Sequence, residues 1–131
     1  MTHLIFVCGS RDLDQPIDYI LDTYRDGVNT DSIVVLQGGA KGADELAREW
    51  ANRNGYKVIT MDADWSQYGK RAGYLRNKVM LDYILAQKER LGDSLVVTAL
   101  AFKSKEVSKG TDMMIRLLVD AGLYVNVKVA V

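Results

Sequence analysis

The sequence has few of the residues that staple a chain or carry nucleophilic chemistry. A single cysteine, Cys8, among 131 residues allows no internal disulfide and no zinc site with several thiolate ligands. It lies in an apolar run and reads as a buried structural thiol. The one histidine, His3, has no acidic partner nearby and reads as a terminal surface residue, so a Ser-His-Asp arrangement has nothing to build on. Histidine pairs and acidic residues at metal-binding spacing are also missing, so neither a metal nor another cofactor is implied. Charge of one sign is absent in the sum: 17 basic and 17 acidic residues give a formal net charge of zero. That argues against long-range attraction to nucleic acid or to an anionic membrane, although a local basic patch is compatible with it. No run of about 20 apolar residues could span a bilayer. The start Met1-Thr2-His3-Leu4 lacks the charged region and apolar stretch of a signal peptide, and the expectation is a cytoplasmic protein without a membrane partner.

What is present is a core: 48% of the residues are hydrophobic, enough for one compact domain over residues 1–131. Leu4-Ile5-Phe6-Val7-Cys8, Ile33-Val34-Val35-Leu36 and Leu95-Val96-Val97-Thr98-Ala99-Leu100-Ala101-Phe102 are continuous apolar runs, the pattern of strands covered on both faces. Tyr56-Lys57-Val58-Ile59-Thr60-Met61 and Tyr124-Val125-Asn126-Val127-Lys128-Val129 alternate, which suits outer strands. Helical stripes lie between them. Ile17, Ile20, Leu21 and Tyr24 follow Pro16, which suits a first turn. Ala43, Leu46, Ala47, Trp50 and Ala51 form the second stripe, stopped by Asn54-Gly55. Ala72, Leu75, Val79, Met80, Tyr83 and Ile84 form the third and longest, running on to Gly92; Met114, Leu117, Leu118 and Ala121 form the fourth. Strand and helix thus alternate four times before a final strand. This predicts an α/β fold: a Rossmann-like three-layer sandwich around a five-stranded parallel sheet of order 3-2-1-4-5. Its switch point lies between strands 1 and 4, where a crevice opens at the carboxyl ends. Residues 62–73 form the one longer irregular stretch and would overhang that crevice.

Three loops at that edge carry ligand-type chemistry. Gln37-Gly38-Gly39-Ala40-Lys41-Gly42-Ala43-Asp44 joins the second strand to the second helix. Its small residues let a ligand approach the backbone at a positive helix start, and free amides there can coordinate phosphate oxygens; a plain tight turn is the alternative. Gly9-Ser10-Arg11 and Ser108-Lys109-Gly110-Thr111-Asp112 have the same character. No standard motif is complete, since Gly42 is followed by Ala43-Asp44 rather than Lys-Ser/Thr, and Gly9-Ser10-Arg11-Asp12 is no dinucleotide fingerprint. Ser10 and Thr111 offer hydroxyls; Lys109 adds positive charge, and Lys41 is more simply a solvated turn residue.

Arg11 and Arg76 can grip a phosphate bidentately, with an ordinary surface salt bridge as the alternative for Arg76. Asp44 and Asp112 either complement a helix start or accept hydrogen bonds from a ribose or base. Trp65 or Tyr68 can stack on a base, or the tryptophan closes the insert as a buried anchor. Catalysis, if any, would rest on carboxylates such as Asp44, Asp64 or Asp112, orienting water or stabilising an oxocarbenium-like state.

Cys8-Gly9-Ser10-Arg11, Gly38-Gly39-Ala40-Lys41-Gly42-Ala43-Asp44, Ala63-Asp64-Trp65 through Arg76-Asn77, and Ser108-Lys109-Gly110-Thr111, in this order, resemble the YspA/YpsA-related branch of the SLOG superfamily. The resemblance covers nearly the whole chain. It implies a Rossmann-like, SLOG-type nucleotide-binding domain and a nucleotide or nucleotide-derived ligand. Such small proteins are common in bacteria and bacteriophages; a phage-encoded copy would work in the host cytoplasm. Distant relatives include the DNA-processing protein A core and the Lonely Guy phosphoribohydrolases, which release a base from a nucleoside 5′-monophosphate. The Met-His-x-Arg-Lys segment of those hydrolases resembles Tyr74-Leu75-Arg76-Asn77, with Arg76 matching the catalytic arginine. Their Pro-Gly-Gly-x-Gly-Thr-x-x-Glu motif resembles Val107-Ser108-Lys109-Gly110-Thr111-Asp112-Met113-Met114, with Met114 where the catalytic glutamate stands. A thioether cannot act as a base, so hydrolysis would need Asp112 or Asp44 instead.

The leading expectation is therefore binding or sensing of a nucleotide-derived phosphate ligand. Its binding residues would be Gly9, Ser10, Arg11, Gly38, Gly39, Ala40, Gly42, Asp44, Trp65, Arg76, Ser108, Gly110 and Thr111. The alternative is an N-glycosidic hydrolase or transferase acting on a nucleoside 5′-monophosphate, with Arg76, Asp112 and Asp44 as catalytic candidates. A DNA-associated role is disfavoured by net neutrality. Tyr74 and Leu81 on the third helix, with Met113 and Ile115 on the last, lie outside the core stripes and predict a homo-oligomer, a two-fold dimer first.

Overall fold

A computed structural model describes residues 1–30, 32–104 and 108–129. The elements are β1 (Thr2–Gly9), α1 (Asp18–Asp26), β2 (Ser32–Gln37), α2 (Ala43–Arg53), β3 (Lys57–Thr60), α3 (Trp65–Tyr68), α4 (Ala72–Leu91), β4 (Leu95–Lys103), α5 (Lys109–Asp120) and β5 (Val125–Val129). All neighbouring strands pair parallel, in the order β3-β2-β1-β4-β5. This is the sheet the alternating pattern predicts. β1 pairs β4 along its whole length, from Thr2 opposite Leu95 to Gly9 opposite Phe102. The two strands that flank the switch point therefore end side by side.

The period of two in β1 divides the core. Ile5 and Val7 pack with Leu21 of α1 and Ala47, Trp50 and Ala51 of α2. Leu4, Phe6 and Cys8 face the opposite layer, with Met80, Leu81 and Ile84 of α4 and Met114 and Leu118 of α5. A strand covered on both faces is apolar on both, which is why these runs do not alternate. Among the described residues no helix is long and apolar enough to cross a membrane.

Four local expectations are corrected. His3 is no surface residue: it is fully buried on β1, and its Nε2 lies 2.7 Å from the Thr98 hydroxyl of β4. The first helix begins at Asp18 with Ile17 as its cap, so Pro16 precedes it rather than occupying its first turn. Residues 62–73 are not irregular throughout; they contain α3 and a 3₁₀ turn at Gly69–Arg71. Finally, the buried face of α4 is Ala72, Asn77, Met80, Leu81 and Ile84, while Val79 is 53% exposed. The helix is turned so that polar Arg76 and Asn77 face inward near its start. Leu81 is thereby a core residue, unavailable to a partner subunit.

Candidate functional site

The crevice is laid down by backbone first. Where β1 ends, Ser10 N–H donates to the Phe102 carbonyl at 2.9 Å, and the Ser10 hydroxyl accepts from Ser104 N–H at 3.0 Å. These bonds tie together the exits of β1 and β4. The start of α2 docks on the same turn: Ala43 N–H donates to the Ser10 carbonyl at 3.4 Å. Gly42, at φ +78°, lies so close that a Cβ would collide with the Ser10 and Arg11 backbone.

The glycine-rich loop is closed upon itself. Asp44 Oδ2 accepts from Gly38 N–H at 3.1 Å and from Ala40 N–H at 3.3 Å. Gly39 N–H donates to Gln37 Oε1 at 2.5 Å, and the Gln37 amide in turn donates to the Thr60 hydroxyl. Amides expected to meet a phosphate thus hold the protein's own oxygens. The cause is chain geometry: a carboxylate in the first turn of a helix reaches back to the loop's unsatisfied donors. Asp44 is the one buried carboxylate among the described residues, and its Oδ1 has no hydrogen-bond partner. Burial pushes its pKa up to about 6, against the opposing pull of the Ala40 and Gly38 amides and of the Arg76 charge.

Arg76 crosses from α4 to this loop. Its Nη1 donates to the Gly38 carbonyl at 2.6 Å and its Nε to Asn77 Oδ1 at 3.1 Å. Gly38 is needed for that approach, because a Cβ there would stand 2.6 Å from Nη1. No ion pair joins Arg76 to a carboxylate among the described residues. Its pKa is lowered by burial, with Asp44 acting in the other direction. Asn77 links the same turn of α4 to the start of α5, its Nδ2 donating to the Gly110 carbonyl at 3.4 Å. Ser108 caps α5: its hydroxyl accepts from Thr111 N–H at 3.3 Å and lies 2.7 Å from the Thr111 hydroxyl. A Cβ at Gly110 would meet open space.

These groups border one cavity of about 620 Å³, within the range of small-molecule sites. Of the expected residues, Gly9, Ser10, Arg11, Ala40 and Asp44 line it, as do Trp65, Arg76, Ser108, Gly110 and Thr111. Gly38, Gly39 and Gly42 shape the loop behind it without reaching the lining. Asp112 is outside the lining too, its carboxylate 2.8 Å from the Lys103 ammonium. Asp64 is occupied as the cap of α3, accepting from Gln67 N–H at 3.1 Å. Val107, from the fourth motif, lies outside the described residues. Sequence reasoning overlooked Asp12, Lys70 and Asn77, and did not expect Cys8, Met80, Met113 and Met114 to form part of the wall. The adjacency of Asn77 to Arg76 was the available signal for one of them. The Arg11 guanidinium lies 5.6 Å from the Trp65 ring centroid.

A strand, a Gly-Ser-Arg turn, a carboxylate-closed glycine loop and a short helix bearing the tryptophan follow one another in the first half of the chain. The family model described as YspA, cpYpsA-related SLOG matches residues 4–68. Over those residues the chain belongs to this SLOG family. The SLOG match runs from β1 through α3 and so includes Arg11, Asp44 and Trp65; Arg76 and α5 come from the part beyond it. The "Gene 61 protein" of Mycobacterium phage D29 is 44% identical over 54 residues, a match covering 37% of this chain and 43% of the phage protein. The chain therefore matches less than half the length of that curated relative.

Proposed function

We propose that the chain binds a nucleotide or nucleotide-derived molecule through its phosphate in the crevice between β1 and β4. The observation that carries this reading is the convergence of three cations, Arg11, Lys70 and Arg76, on one cavity against the two carboxylates Asp12 and Asp44, in a chain of zero net charge. Arg76 is held there by a carbonyl and an amide rather than neutralised by an ion pair. Asp44 holds the Gly38 and Ala40 amides and Gln37 holds that of Gly39, so this reading puts the anion at the start of α5, beside Gly110, with the two guanidinium groups. SLOG membership supports a phosphate-bearing ligand. Calorimetric titration with nucleoside mono-, di- and triphosphates tests the proposal. Saturable binding is expected, and Arg11→Ala should weaken it by about 1.5–3 kcal/mol without lowering the melting temperature. Equal affinity in mutant and parent would remove Arg11 from the site.

A second reading, N-glycosidic cleavage of a nucleoside 5′-monophosphate, is favoured by one observation. Asp44 is a carboxyl group in the cavity wall with its pKa raised to about 6, a value suited to moving a proton near neutrality. Asp112 is paired with Lys103 and Met114 has no carboxyl group, so of the catalytic candidates Asp44 is the one in the cavity wall, which it shares with the carboxylate of Asp12. Release of free base, abolished in Asp44→Asn while binding persists, is the expected result under this reading. Saturable binding with no release rejects it.

A further inference from the structure

We propose that the crevice holds the heteroaromatic ring of its ligand against the Trp65 indole, and that Arg11 leaves that indole for the ligand's anion. The proposal rests on the phosphate-binding reading above and adds the ligand's second recognition element. Trp65 is 50% exposed, unlike Trp50, which is 1% exposed and forms part of the core. A tryptophan that merely closed the insert would be buried as Trp50 is. Instead the indole stands in the cavity wall on the four-residue α3, whose start the Asp64 side chain caps. Gly73 at the start of α4 lies beside the ring edge, where a Cβ would be 3.4 Å from the indole Cη2. The platform is thus positioned yet half uncovered.

Arg11 is the group that covers it. Among the described residues the Arg11 guanidinium makes no hydrogen bond or ion pair; it lies 5.6 Å from the Trp65 ring centroid and acts only through its charge on Asp44 and Arg76. A cation over an indole is weakly held when solvent-exposed, whereas a phosphate offers that guanidinium two charge-assisted hydrogen bonds. Moving Arg11 to an anion would free a ring face for stacking. Elsewhere the wall presents Cys8, Met80 and Met114, apolar and polarizable groups that suit a flat ring more than a sugar. Cations beside an indole and thioethers fit a molecule with an anionic end and a planar end, which sugar phosphates and inorganic phosphate lack.

The test combines emission with calorimetry. Trp50 donates its indole N–H to Asp22 on the α1–α2 side of the sheet, so a ligand-dependent change in tryptophan emission reports on Trp65. Ribose 5-phosphate and the four common nucleoside 5′-monophosphates are titrated into the parent, Trp65→Phe and Trp65→Ala proteins. At least one nucleotide should change the parent's emission, and Trp65→Ala should weaken its binding about tenfold or more while leaving ribose 5-phosphate within about twofold. Trp65→Phe should retain most of the nucleotide affinity. Nucleotide affinity unchanged in Trp65→Ala, or ribose 5-phosphate binding as tightly as every nucleotide, overturns the stacking proposal while phosphate binding stands. Absence of binding by all five probes, together with none by the nucleoside di- and triphosphates, overturns both.

Discussion

Asp44 is ionisable, buried, and bonded through only one of its two oxygens. Its folded pKa, about 6, lies above the ordinary aspartate value of 3.8. The folded state therefore holds this proton more tightly than the unfolded state. The stabilisation from the proton is complete below pH 3.8 and disappears as pH rises through about 6. Asp44→Asn removes that dependence. Between pH 4 and pH 7 the variant should gain stability relative to the parent by up to about 3 kcal/mol, read from urea unfolding at each pH. A difference constant across that range would mean that Asp44 is not desolvated as described. His3 acts with the opposite sign. Burial lowers its pKa, so its neutral form contributes stability above the unfolded value of 6.5 that is lost as pH falls. Between pH 7 and pH 5 the parent should lose more stability than His3→Gln, measured in the same way.

At the scale of elements, two short contacts couple the helix starts to the crevice. Ser108 is the side-chain cap of α5, and Ser108→Ala should cost about 1 kcal/mol of stability in chemical unfolding. Gly38 lets α4 reach the loop ahead of α2. Gly38→Ala would push the Arg76 guanidinium off the Gly38 carbonyl, with a cost of about 1–3 kcal/mol and weaker nucleotide binding in calorimetry. Retained affinity there would separate Arg76 from ligand recognition. The strands were readable in the sequence because a doubly covered strand is apolar on both faces, as in the run from Leu4 to Cys8. The facing of α4 was readable only in part. Ala72, Met80 and Ile84 of the expected stripe are buried and Tyr83 packs against the core, but Val79 turns outward and the inward face also carries Arg76 and Asn77, whose polarity mimics a solvated surface. The glycine loop misled for a related reason. Its spacing shows where amides gather, while the acceptor that fills them is a side chain four residues beyond Ala40. His3 was misplaced because position near the amino terminus was weighed above its place in a central strand whose partner supplies Thr98.

The whole molecule carries the consequence of that rotated helix. With Leu81 in the core, α4 leaves Val79 53% exposed and, about a third of a turn around the helix, Tyr74 and Leu85 exposed as well, and α5 adds Val119 at 56%. α4 and α5 cover the same face of the sheet, so these side chains belong to one layer. Of the residues first assigned to an interface, Tyr74 is exposed and borders the cavity; Met113 lines the cavity as well, and Ile115 packs against the core. Exposed apolar side chains on one helix meet their own copies when a two-fold axis passes beside it, since such an interface uses the same patch twice. Two-fold pairing through α4 is therefore the expected assembly, and Val79→Asp, which sets two carboxylates against each other near the axis, is the variant that separates it from a monomer. Light scattering at micromolar concentration should give twice the chain mass for the parent and a shift towards the chain mass for Val79→Asp. Because Tyr74 borders the cavity as well as that surface, the same variant should also alter nucleotide affinity if the second copy closes the crevice mouth. A parent that scatters as a monomer removes the dimer and leaves the crevice complete within one chain.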